Sequence, residues 1–315
     1  MKVLVINQFA DNKGDRAVLA VILDQLAAAG GVDSVTVATS RTGAWSAEDF
    51  KHCNLTVSLV PWGWPRPAGN TLMRRLQYRV MRQIAYPLAR TTLAAPRALA
   101  LDKAILGSLC NRSFLNAVRD ADLIISTGGH HFTNWFSREG VSPLFFDLAL
   151  AEIFGRRVVL WSQTIGALAF ADPENQQFVN LLMCKADGIY VRDDGSLAEL
   201  EQAGVDAAKV HKTHETVFGA ETGAWSPPAE REPVVGISIY TGSQRTVAAI
   251  NAYVAALSGL VNHICGKGYR VRFFPMQLKG QKGDDRDMIG QIVELSESDG
   301  QIEVLEEDIP AALHL

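Results

Sequence analysis

The chain has 315 residues, 48% of them apolar and 20% charged, with a net charge of −4. That length exceeds one ordinary domain and, at about 150 residues each, points to two. So mild a charge argues against nucleic acid as a partner. The four scattered cysteines (Cys53, Cys110, Cys184, Cys265), with no CxxC pair, form neither a disulfide framework nor a zinc site.

The opening residues, Met1 to Asn7, are too short an apolar run for a signal peptide and read as a first core strand. No run approaches the roughly 18 apolar residues needed to cross a membrane, so a cytoplasmic protein is expected. Short apolar runs then alternate with helix-length periodic segments, which defines an α/β class with a parallel sheet. Val3 to Ile6 is a strand, Asp15 to Ala29 a helix closed by Gly30-Gly31, and Ser34 to Ala38 and Leu55 to Val60 are further strands.

From about 61 to 115 the rhythm breaks. Pro61-Trp-Gly-Trp-Pro-Arg-Pro opens a basic helical stretch in which Arg74, Arg75, Arg79, Arg82 and Arg90 interleave with Leu72, Met73, Leu76, Val80 and Ile84. Such a pattern suits either peripheral contact with an anionic membrane or an ordinary solvated arginine face, the latter being the plainer reading.

Strands follow at 123–126, 157–162 and 189–191, each preceded by a helical pattern, giving one sheet and an N-terminal domain over 1–221. Residues 222–233 hold three prolines and little apolar content, which marks a linker. Beyond it, in a C-terminal domain over 234–315, strands at 234–240, 269–274 and 302–305 alternate with helices at 247–265 and 284–295. A last helix opens at Asp308 and the chain stops at Leu315. Three strands and two helices amount to half of a nucleotide-binding-type domain. The expectation is a second domain incomplete at its C-terminus, with a small closed domain as the alternative.

Four loops leave strands of the first domain at one edge of the sheet. The first, Asn7 to Arg16, carries Asn12, Gly14 and Asp15 into a helix, whose start offers free N–H groups to an anion. It has neither the GxGxxG nor the Walker spacing. The second is Ser126-Thr-Gly128-Gly129-His130-His131. Paired glycines there permit close approach of a substrate, and histidines exchange protons near neutral pH. A tight turn with satisfied histidines is equally open, and two adjacent histidines without nearby carboxylates make a poor metal site. The third loop is Gln163-Thr-Ile-Gly166, and the fourth Arg192-Asp193. An arginine at a strand end beside a helix start suits an anion, although pairing with Asp193 or a surface carboxylate is the bland alternative. Converging polar loops at the carboxyl edge of a parallel sheet predict a crevice.

These motifs, in this order, resemble the polysaccharide pyruvyl transferase family. The resemblance rests on Asn12-Lys-Gly-Asp-Arg-Ala17, Ser126-Thr-Gly-Gly129, Gln163-Thr-Ile-Gly166 and Val191-Arg-Asp-x-x-Ser196 with its leucine-rich helix to Gly204-Val205. Gly236-Ile-Ser-Ile239 and the run from Phe274 to Arg286 extend it into the second domain. It implies two Rossmann-like domains in a GT-B-like arrangement. It also implies transfer of a pyruvyl group from phosphoenolpyruvate, with no further cofactor, to a glycan or lipid-linked glycan as a ketal. On that basis Arg192 would clamp the donor anion, and Asp15 or His130 would orient or deprotonate an acceptor hydroxyl. Asn12, Gly14, Gly128, Gly129, Gln163, Gly166 and Asp193 would line the substrate.

The chain departs from the family at Arg16, where an acid is usual, at His130, often a third glycine, and at Glu215, usually aspartate. Nothing matches the family's Arg-Leu-His element, since His314 lacks the preceding arginine. A GT-B glycosyltransferase using a nucleotide sugar and a non-catalytic scaffold of the same fold are the competing readings.

Overall fold

The computed structural model describes residues 1–51, 53–64, 72, 76, 79–95, 100–134, 141–166, 168–220, 232–239, 246–277, 279–280, 284–297 and 300–305. Contacts divide the chain into two units, one of residues 1–10 and 15–220, the other of 11–14 and 221–315.

In the first unit the sheet runs β3 (Thr56–Pro61), β2 (Ser34–Thr39), β1 (Lys2–Gln8), β4 (Leu123–Ser126), β6 (Arg157–Gly166), β7 (Gly188–Val191), β8 (Val210–Lys212), with β5 (Gly129–Thr133) also pairing β6. Every pairing is parallel. Successive side chains of a strand face opposite ways, and β1 buries both sets, as a parallel sheet covered on both faces requires. Val3 and Val5 pack with Val18, Leu19 and Ile22 of helix α1 (Lys13–Ala29). On the other face, Leu4 and Ile6 join the cluster that holds α5 (Pro143–Ile153). α5 is buried nearly all round, from Leu144 to Ile153, as its strongly apolar composition requires.

Between β3 and β4 lie α2 (Tyr86–Ala94), α3 (Ala100–Ser108) and α4 (Arg112–Asp120). The basic face expected here is only partly described. Arg79 is exposed and Arg90 pairs with Glu174, whereas Arg74 and Arg75 and the side chain of Arg82 lie outside the described residues. The start of the insert is an anchor: Trp62 and Trp64 are 3% and 7% exposed, packed with Phe114, Tyr86 and Phe146.

α6 (Pro173–Lys185) precedes β7, and α7 (Asp194–Gln202) follows it. In the second unit β9 (Val234–Ile237), β10 (Arg270–Phe273) and β11 (Ile302–Val304) form a parallel sheet in the order β11-β10-β9. α8 (Val247–Gly266) and α9 (Asp285–Glu294) share its core with Val271 and Phe273. At 20 residues and a mean hydropathy of 1.4, α8 is long and apolar enough to cross a membrane by length and composition. This corrects the expectation that no run qualifies. Asn251, Ser258, Asn262 and His263 break the apolar run without an Asp, Glu, Lys or Arg, and Val254, Val261 and Cys265 bury a stripe against the sheet. The linker residues 222–231 and the helix expected from Asp308 lie outside the described residues.

Candidate active site

The site is built where β1, β4, β6 and β7 end. Four buried polar side chains tie those ends together. Asn7 Nδ2 donates to Ser126 Oγ (3.0 Å), Thr127 Oγ1 donates to Asn7 O (3.2 Å), and Gln163 Nε2 donates to Ser126 O (3.3 Å) and to Thr127 O. Gln163 is fully buried, so its amide holds the strand ends in place and does not face a ligand. Asn7 (φ 65°) and Ser162 (φ 45°) sit in the left-handed region without being glycine. Backbone strain of this kind persists where the surroundings over-determine it, and it clusters at functional sites.

Ser162 also explains β5, which the sequence reads as a loop. The kink at Ser162 divides β6: residues 157–160 pair with β4, while Gln163, Ile165 and Gly166 pair with Gly129, Phe132 and Thr133. His130 and His131 therefore lie on a strand. Gly128 is needed because a Cβ there would come within 2.9 Å of Ser162 O, and Gly129 takes φ +147°. Gly166 ends β6, and a Cβ there would meet nothing within 4 Å.

Arg192 leaves β7 into the turn that starts α7. Its backbone N–H bonds to Gln163 O (3.2 Å), and its side chain reaches three partners. Nε donates to Thr164 Oγ1 (2.7 Å), Nη2 lies 3.3 Å from His130 Nε2, and Nη1 pairs with the Glu215 carboxylate. Thr164 relays to Asp193 Oδ2 (3.0 Å). Asp193 Oδ1 in turn accepts from Ser196 N–H and Oγ, both at 2.8 Å. Asp193 is thus the N-cap of α7, and its carboxylate takes the dipole end that the sequence offers to an incoming anion. Burial pushes the Asp193 carboxyl up, but the hydrogen bonds from Ser196 and Thr164 and the Arg192 charge outweigh it and leave it ionised.

Three groups of altered acidity meet here. Burial raises Asp15 from 3.8 to about 6, against the opposing pull of Arg192. His130 is lowered by burial and then by Arg192, with Asp193 opposing. Since a guanidinium only donates, His130 Nε2 must accept, which assigns its proton to Nδ1. His131, tilted against Phe9 at 5.4 Å between centroids, is held at about 4 by burial and stays neutral. A cavity of about 420 Å³ here is lined by Asp15, His130 and His131 together with Phe9, Ser142, Pro143 and Leu144.

The structure thus brings Asp15, His130 and Arg192 together, framed by Gly128, Gly129, Gln163 and Asp193. Asn12 and Gly14 group with the second unit, where Asn12 Oδ1 accepts the Gly14 N–H (2.8 Å). Arg16 is a support: Nη1 pairs with Asp49 (3.0 Å), and the guanidinium lies 4.3 Å over the Trp45 ring. Glu215 and Thr164, both partners of Arg192, were given no role by the sequence. The signals for Glu215 are its place just after a strand and its position where the family usually has aspartate. In the second unit, Asp285 Oδ2 accepts from Met276 and Gln277 N–H (2.8 and 3.0 Å) and shapes the loop after β10. Among the described residues no group of three His, Cys, Asp or Glu could hold a metal ion.

These features define an α/β protein of the GT-B fold class with a polar, arginine-centred site at a sheet edge. The HepE protein of Anabaena, in complex with UDP-glucose, is similar at a TM-score of 0.52 and 16% identity, covering 99% of this chain and 71% of its own. The UDP-GlcNAc 2-epimerase of Neisseria meningitidis, bound to UDP-GlcNAc, gives 0.54 and 12%, over 98% and 73%. An S. aureus MnaA structure with UDP gives 0.54 and 11%, over 99% and 69%. Identities this low establish the fold alone. No curated protein matches the chain. The polysaccharide pyruvyl transferase family matches residues 12–307, nearly the whole chain, and the protein belongs to that family.

Proposed function

We propose that the protein transfers a pyruvyl group from phosphoenolpyruvate to two hydroxyls of a glycan. The observation that supports this reading most is the Arg192 guanidinium against the His130 imidazole, with its charge acting on an Asp15 carboxyl that burial raises to about 6. The donor presents a carboxylate and a phosphate, both matched by a guanidinium fork. Protonation of the enol methylene makes an oxocarbenium-like C2, which the first hydroxyl attacks. The C2–O bond to phosphate then breaks, the second hydroxyl closes the ketal, and the two hydroxyl protons end on the new methyl group and on phosphate.

General acid and base groups work best near the operating pH. Asp15, at about 6, can deliver a proton to the methylene or accept one from a hydroxyl. His130 Nδ1–H, on the ring whose Nε2 is taken by Arg192, can orient the acceptor oxygen. Arg192 Nη1 is already held by Glu215, so the donor anion displaces that carboxylate when it binds.

Inorganic phosphate release from phosphoenolpyruvate, dependent on added glycan, tests the reaction. Arg192→Ala should abolish it. Retained turnover would remove Arg192 from the mechanism, and a melting-temperature rise with UDP-glucose instead of phosphoenolpyruvate would favour a nucleotide-sugar enzyme.

A further inference from the structure

A second cavity, of about 440 Å³, lies on the face of the first unit's sheet that carries α1. Three neighbouring strands set rings side by side there. Trp161 on β6 and Tyr190 on β7 have centroids 6.1 Å apart, and Tyr190 and His211 on β8 are register partners at 5.0 Å. Trp161, Tyr190 and Phe218 wall the cavity, and Phe218 is 82% exposed. A polar rim of Ser162, Thr213, His214 and Glu215 completes it. That rim is fixed in place: Ser162, 2% exposed and at φ 45°, donates from Oγ to His214 O (2.9 Å). Next to it, Thr216 Oγ1 is buried with no hydrogen-bond partner.

We propose that this cavity binds a neutral pyranose ring of the glycan acceptor, an inference that rests on reading the chain as a glycan-modifying enzyme. A pyranose has a C–H face that packs on aromatic rings and a belt of hydroxyls that needs mixed donors and acceptors. The walls supply the first and the rim the second. Charge decides against a phosphate-bearing ligand, because among the described residues the lining includes Glu215 and no lysine or arginine. Position favours the acceptor as well. Glu215, on the rim, is the carboxylate that pairs with Arg192, so a sugar ring here lies beside the group that would hold the donor.

Saturation-transfer NMR with the methyl pyranosides of glucose, galactose, mannose and N-acetylglucosamine, with UDP as comparator, reads binding directly. Transfer from aromatic protons to at least one sugar is expected. Tyr190→Ala and Phe218→Ala, both at exposed positions, should weaken it about tenfold at unchanged melting temperature. They should raise the KM for glycan and leave that for phosphoenolpyruvate unchanged. No transfer to any sugar, equal transfer in the variants, or transfer to UDP alone would overturn the proposal. So would variants that change only the sedimentation behaviour, since the patch would then be a self-association surface. Sugar binding without phosphate release would leave this site standing and remove the pyruvyl-transfer reading.

Discussion

Replacing Asp15 by asparagine should stabilise the protein while it removes activity. The carboxyl is raised from 3.8 to about 6 chiefly by burial. A tenfold change in protonation is worth about 1.4 kcal/mol, so carrying the ionised form at pH 7 costs the folded state at most about 3 kcal/mol. The N-terminus of α1 favours the carboxylate and acts the other way, which makes this a ceiling. The sign follows from the direction of the shift. A folded-state pKa above the unfolded one leaves stability intact below pH ~4. Stability is then lost as the pH rises towards about 6, and the loss is constant above that.

Asparagine does not titrate. The stability advantage of Asp15→Asn should therefore be about 0.5 kcal/mol at pH ~4, about 1.5 kcal/mol at pH ~5 and up to about 3 kcal/mol at pH ~7. Denaturant midpoints across that range, at unchanged slope, measure it. An advantage that does not grow between pH ~4 and ~7, or a variant less stable than the parent throughout, would refute the raised carboxyl. It would also remove the basis for Asp15 as the proton-transfer group. A stabilised but inactive variant is the trade-off expected where a site holds an unfavourable charge for its chemistry.

Glu215→Gln should strengthen binding of inorganic phosphate about tenfold, about 1.4 kcal/mol, because the carboxylate now occupying Arg192 Nη1 loses its charge. Calorimetry checks it, and weaker binding would make Glu215 a positioning residue for the guanidinium. Gly63→Ala should cost about 2–3 kcal/mol. The added Cβ would meet Phe114 at 2.5 Å and Asp147 Oδ1 at 2.6 Å, both buried where they cannot give way. A denaturant midpoint equal to the parent's would show that the Trp62–Trp64 anchor is looser than its packing.

Much of the architecture was legible in the chain. β1, β2, β4, β7 and the three strands of the second unit are apolar runs of the expected length. The helices from Lys13 and Val247 follow their periodicity and caps. What periodicity missed is informative. β5, Gly-His-His-Phe-Thr, has little intrinsic strand preference and is extended because the second half of β6 offers it a ladder. α8 is expected as a helix, but its membrane-spanning length and hydropathy are not, because polar residues interrupt its apolar run.

The site shows the same division. Arg192, Asp15, His130 and the glycine pair could be picked out because each stands at a strand end or helix start, a position that sequence pattern reveals. Their partners could not. The contact of Arg192 with His130 joins residues 62 apart, and its pairing with Glu215 depends on β8 taking the place beside β7. Local sequence determines which segments bury an apolar face and where their ends fall, because burial repeats with the period of the helix or strand. Which polar groups meet at those ends depends on strand order and register, and both are settled by long-range packing. That packing directs the Asp193 carboxylate into its own helix, Gln163 into a buried tie between strands, and the Arg192 guanidinium towards Glu215.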